Sequence, residues 1–244
     1  CKRGACVAEL AEIAKLSDGA KQELYKTALD TSEFDAIRTL KRTGTVTGTT
    51  TEETVTDTTE VSLANKEVLR VDSTAGKVNK LEIPDALANG GAVVVDENTD
   101  FEVATEFTVL GDKAAMTLGQ GSKTVVEKFT VAAGRSFEMQ FGDKAKTTEL
   151  KNLDLADKDS KLSLSGGKVD VDVLDKSTAG TSKGTLQLSG ETELSGQTGK
   201  YLIEVTEHVS GAAKAEIGDL ETAGDIVGDG ELAIKGAGKK LKMT

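Results

Sequence analysis

A chain of 244 residues with 41 acidic and 30 basic side chains, formal charge −11, is long enough to bury a core but too acidic to favour nucleic-acid phosphates or anionic membranes. It has no Trp, two Tyr, six Phe and one Pro, so Val, Leu, Ile and Ala must build that core, and aromatic platforms for bases or sugars are scarce. No apolar run approaches the length of a membrane span.

The chain starts at Cys1 rather than Met, which reads as a processed chain. Cys1 and Cys6 are its only cysteines. Three readings stay open for them: a disulfide in an oxidising compartment, a lipid anchor on Cys1, or two ordinary thiols. No His or further Cys stands nearby to complete a zinc site.

Residues 5–42 have helical spacing. Val7, Leu10, Ala11 and Ala14 recur three and four apart, and Ser17-Asp18-Gly19 closes the pattern. Ala20, Leu24 and Ala28 suggest a second helix. Ser32 caps a third, with Phe34, Ile37 and Leu40 on one face. Residues 1–42 carry eight Lys/Arg against seven acids, and no face gathers the cations that docking in a DNA groove needs. A packing or assembly arm is the better account.

At Thr43 the character changes. Ten of the eighteen residues from Thr43 to Glu60 are threonine, whose β-branched side chain favours extended backbone, so this stretch reads as an edge strand or linker entering a β body. Period-two alternation then dominates. Phe101, Val103, Thr105, Phe107 and Val109 form one face of the clearest strand. Phe137, Met139 and Phe141 form another, and Val125, Phe129 and Val131 are read as sharing a face. Leu162 and Leu164, Val169 to Val173, Leu186 and Leu188, and Tyr201 to Val205 continue the rhythm, with turns at sites such as Gly166-Gly167.

These signals predict a mainly β protein: an antiparallel β-sandwich or barrel-like body, in one or two β domains, with an N-terminal helical arm. The expected parts are an arm over 1–42, a β domain over 43–148, and a second β domain, or a continuation of the first, over 149–244 that ends in a basic tail. A parallel β-solenoid is the alternative for the second half, although no fixed repeat length marks it.

Signatures of chemistry are sparse. His208 is the only histidine and has no nucleophile elbow beside it. The stretch LGQGSKT ends like a P-loop at Lys123-Thr124, but Thr117 and Ser122 stand where glycines are required. Acids recur in loops, at Asp96, Glu97 and Asp100, and at Asp154, Asp157 and Asp159. The best calcium candidates are Asp219, Asp225, Asp229 and Glu231, interleaved with glycines that free backbone carbonyls. No other cofactor is indicated. Paired carboxylates alone leave a glycoside hydrolase as a remote option.

The expected function is a non-enzymatic structural subunit that joins copies of itself into an extracellular or cell-surface filament, sheath or layer through its terminal segments. The candidate contacts are Val7, Leu10 and Ile13 at one end, and Leu232, Ile234 and Leu241 at the other. A virion protein (tail tube, capsid or decoration) and a monomeric surface lipoprotein or binding module are the alternatives.

Overall fold

The computed structural model describes residues 36–44, 51–85, 87, 91–142, 146–177, 183–206, 215–230, 232–234 and 240–244. These residues contain strands and no helix. In chain order the strands are β1 (Ala36–Lys41), β2 (Thr51–Thr54), β3 (Glu60–Ser62), β4 (Glu67–Val71), β5 (Lys77–Ile83), β6 (Ala92–Val95) and β7 (Asp100–Val109). There follow β8 (Ala114–Leu118), β9 (Lys123–Val126), β10 (Phe129–Val131), β11 (Ser136–Phe141), β12 (Thr148–Leu155), β13 (Lys161–Ser165) and β14 (Lys168–Val173). The last are β15 (Thr185–Ser189), β16 (Glu193–Gly199), β17 (Leu202–Val205), β18 (Ala215–Thr222), β19 (Ile226–Gly228), β20 (Leu232–Ile234) and β21 (Leu241–Met243).

The strands alternate between two sheets. Sheet A has the order β19-β17-β15-β13-β11-β8-β6-β4-β1-β2, and sheet B runs β20-β18-β16-β14-β12-β10-β7-β5-β3, with β9 between β7 and β12 and β21 beside β18. The pairings between neighbours are parallel. Each turn of the chain therefore lays one rung on sheet A and one on sheet B, which makes a β-solenoid. The expected antiparallel sandwich or barrel is overturned. Alternation within a strand reports which face is buried and is silent on the direction of its neighbour.

The last predicted helix is overturned as well. Ile37 and Leu40, three apart, lie on opposite faces of β1, and both are buried. Burial on both faces removes the period-two signal and leaves a spacing that mimics a helix. Residues 1–35 lie outside the described residues.

The space between the sheets is filled by stacked columns of apolar side chains. One column runs Leu69, Val93, Met116, Met139, Leu164, Leu188 and Val205, each residue directly opposite the next. All seven are buried. Near the middle, Phe107 and Phe129 from sheet B meet Phe137 from sheet A, with ring centroids 5.0, 5.5 and 5.4 Å apart. Two of the three ring pairs meet edge to face, the arrangement that ring quadrupoles favour.

Sheet B carries a repeated irregularity. Its register shifts between Val78 and Lys80, and again between Leu150 and Leu153. Asn152 takes a left-handed φ of 47° there, and its Nδ2 donates to the Glu127 carbonyl 2.9 Å away on the rung below. The same step separates β9 from β10, so Val126 and not Val125 points inward with Phe129 and Val131. An inserted residue changes the parity of everything after it. The ladders run unbroken across position 148, where β12 pairs with β9 and β10 on one side and β14 on the other.

Phe129→Ala is expected to lower unfolding stability by about 3–5 kcal/mol, because it removes one member of the aromatic trio and leaves a cavity that the stacked rungs cannot close. Urea unfolding followed by circular dichroism checks this.

Candidate assembly surfaces

Outward positions of sheet B carry charge in rung-to-rung pairs. Lys123 Nζ lies 2.6 Å from Glu149, Lys128 Nζ 2.7 Å from Glu106, Lys77 Nζ 3.0 Å from Glu102, and Lys242 Nζ 2.9 Å from Glu221. A parallel ladder places outward residues of successive rungs about 4.8 Å apart, so alternating sign is needed to avoid stacking like charges. Each exposed pair adds little stability. Their collective effect is to set these four carboxylates beside lysines of neighbouring rungs, although acids also stack directly at Glu149–Asp170 and Glu193–Glu216.

The acidic loops show the same economy. Asp157 Oδ1 accepts from Gly134 N–H at 3.0 Å, Asp159 N–H at 3.0 Å and Ser160 Oγ at 2.8 Å, and these donors, Gly134 foremost, hold its carboxyl below the usual range. That carboxylate organises a turn between rungs. Of the calcium candidates, Asp219 is on β18 in sheet B and its Oδ1 accepts from Lys240 N–H at 3.1 Å. Asp225 and Asp229 are exposed at opposite ends of β19 in sheet A. Among the described residues no three His, Cys, Asp or Glu side chains gather as a metal site. Glu231, His208, Cys1 and Cys6 lie outside the described residues.

The two ends of the rod are built differently. At the β2/β3 end, Arg38 stands in the inward column directly opposite Leu69. Its Nη1 donates to Glu53 at 2.7 Å, its Nε to Glu67 at 3.0 Å, and its Nη2 to the Ser62 carbonyl of sheet B at 2.6 Å. Glu53 itself sits opposite Leu40. An ionic plug spanning both sheets thus closes the apolar columns at this end, and inward-pointing charge of this kind discourages uncontrolled strand stacking. Beside it, the short β3 leaves an open groove lined by Glu60, Lys80, Glu82 and Glu106.

At the other end the columns finish on apolar side chains. Ile226, Leu232 and Leu241 are only partly buried against the core, while Val227 and Met243 are 46% and 58% exposed. Leu232 pairs with Ala215 and Leu241 with Leu220, both along the outer edge of β18, and Ile234 pairs there with Ile217 through its backbone. The three C-terminal candidates therefore share one edge. Val7, Leu10 and Ile13 lie outside the described residues. The ionic plug was missed in the sequence, where Arg38 is only one of the eight basic residues counted over 1–42. Its only local signal is a charged residue amid the buried run of β1.

Tyr201 fastens the sheet B bulge. Its hydroxyl donates to the Leu153 carbonyl at 3.1 Å and accepts from Leu155 N–H at 2.8 Å, which satisfies backbone groups that the shifted register leaves over. Burial pushes its pKa up to about 12. A phenol whose folded pKa exceeds its unfolded value of about 10 stabilises the fold fully below pH 10 and progressively less as pH rises through 12. Tyr201→Phe is expected to cost about 1–3 kcal/mol at neutral pH by stranding the Leu155 N–H. It should also flatten the fall in stability between pH 10 and 12 relative to the unmodified protein, as measured by urea titration across that range.

No protein-family model, curated protein or solved structure matches this chain.

Proposed function

We propose that the protein is a non-enzymatic structural subunit, a β-solenoid rod that joins copies of itself head to tail into an extracellular or cell-surface filament, sheath or layer. The observation that carries this reading is the ladder itself: a continuous parallel stack whose C-terminal rung ends in partly exposed apolar side chains. Such an edge offers main-chain hydrogen bonds and apolar contact to an incoming strand.

The charges at both ends are paired within the subunit, Glu52, Glu53 and Glu60 with Lys41, Arg38 and Lys80, and Lys242 with Glu221, so the joint rests on strand addition and apolar contact rather than on net charge. A heterologous contact that does not close into a ring propagates as a filament. Outward carboxylates matched to lysines on neighbouring rungs favour a scaffold role over acid–base catalysis, which needs carboxylates converging on one substrate.

The test uses the backbone geometry of β21. Leu220 N–H donates to the Lys240 carbonyl and Thr244 N–H to the Thr222 carbonyl, so the backbone groups of Leu241 and Met243 point away from β18. Met243→Pro therefore removes an outward donor while keeping the inner ladder. Negative-stain microscopy and sedimentation of the full chain should show ordered assemblies, and Met243→Pro should leave folded monomers. Dispersed particles from the unmodified chain at high concentration would overturn assembly in favour of a monomeric surface module, and unaltered assembly by Met243→Pro would overturn strand addition.

A further inference from the structure

The outward face of sheet A changes abruptly along the rod. One row of directly opposed residues runs Ile37, Val68, Ala92 and Ala115, then Glu138 and Ser163. The first four are apolar and buried, with Val68 at 0% exposure, while Glu138 and Ser163 are half-buried and polar. The adjacent row behaves alike. Val94 is 0% exposed and Arg70 1%, and Arg70 Nη2 lies 2.5 Å from Asp96, itself 3% exposed.

Neighbours 4.8 Å away in the same sheet cannot hide a valine from water, because its outer surface faces along the sheet normal. Zero exposure requires a further layer on that face. Every described strand belongs to sheet A or sheet B, and sheet B lies on the opposite side, so no described strand supplies that layer. The Arg70–Asp96 pair points the same way, because two ions on the outward face reach 1% and 3% exposure only beneath a covering layer.

We propose that residues 1–35 of the same chain cover this face, seating Val7, Leu10 and Ile13 on the rows of β1, β4, β6 and β8. The segment leads directly into Ala36, the first residue of β1, and so needs no linker to reach the patch. It is close to neutral, and its apolar residues recur three and four apart, which suits a dry, weakly charged face. The patch spans four rungs, roughly 14–19 Å, a width that thirty-five residues can cover in one or two passes. This seat is independent of the proposed assembly and assigns Val7, Leu10 and Ile13 to contacts within the subunit.

Thiol labelling of the full chain tests it. With Cys1 and Cys6 replaced by serine, Ala115→Cys marks the covered patch, Ser163→Cys the uncovered continuation of the same row, and Val171→Cys the inner core. Ala115→Cys should react with a maleimide about tenfold or more slowly than Ser163→Cys, as expected for a site reached only by local opening. Adding Leu10→Asp should bring the two rates together while Val171→Cys stays protected. If Leu10→Asp also exposes Val171→Cys, the milder Leu10→Ala is read on the same criteria. Fast labelling of Ala115→Cys from the start, or protection that survives the substitution of Leu10, overturns the proposal. Protection lost on dilution also overturns it, because a second copy would then be the cover. Filament formation is scored separately and leaves these outcomes unaffected.

Discussion

Parallel pairing between successive turns of the chain is the constraint on which the rest of the molecule depends. It puts each residue directly above a counterpart from the previous coil, so one position in the coil becomes a column along the rod. An inward column must then be apolar between its ends, which explains a core of Val, Leu, Ile and Met with phenylalanine concentrated where Phe107, Phe129 and Phe137 meet. An outward column gains from opposite charge on adjacent rungs, as in the Lys–Glu pairs of sheet B, and tolerates like charge where solvent screens it, as at Glu149 and Asp170. Tight corners follow too: Gly224 lies so close to the Tyr201 carbonyl of the coil below that a Cβ would strike it.

The same stacking gives the rod direction. Its two ends present different chemistry, an Arg38–Glu53–Glu67 plug at one and partly exposed Ile226, Leu232 and Leu241 at the other. Its two faces differ as well. Sheet B carries charge over much of its outward face, whereas sheet A is mostly apolar and buried on β1, β4, β6 and β8 and mostly polar from β11 to β17. A repeat architecture needs ends that stop it from stacking without control. The plug caps the apolar columns at the β2/β3 end, whereas the β21 edge keeps apolar side chains partly exposed.

Much of the strand content was legible in the sequence. Phe101, Val103, Phe107 and Val109 are buried on one face of β7 as their alternation implies, although Thr105 of that predicted face is exposed, and Val169, Val171 and Val173 are buried on β14. Gly166 and Gly167 form a turn with positive φ at both positions. Strand direction was not legible, because coil length varies with the loops: the step is 23 residues from Ala92 to Ala115, 25 from Phe137 to Leu162 and 17 from Leu186 to Ile203. Without a fixed period the solenoid left no repeat to detect. Strands buried on both faces, such as AIRTLK, AVVV and AAMTL, showed no alternation, and the first of them passed for a helix. The bulge near Glu127 hid the inward role of Val126. Leu232 and Ile234 were read as a short apolar run before the basic tail, and strands lie there and at Leu241, while the plug at the opposite end depends on a register that only the fold reveals.

The most direct test of this account is a distance along one column. Glu138, Ser163, Gln187, Glu204 and Val227 are successive outward residues of sheet A, so Glu138 and Val227 stand four rungs apart. Nitroxide labels at Glu138→Cys and Val227→Cys, with Cys1 and Cys6 replaced by serine, should give a narrow electron–electron dipolar distance distribution centred near 19 Å, four steps of about 4.8 Å. A broad distribution, or a separation far beyond the reach of four stacked rungs, would contradict the parallel ladder and the functional reading built on it.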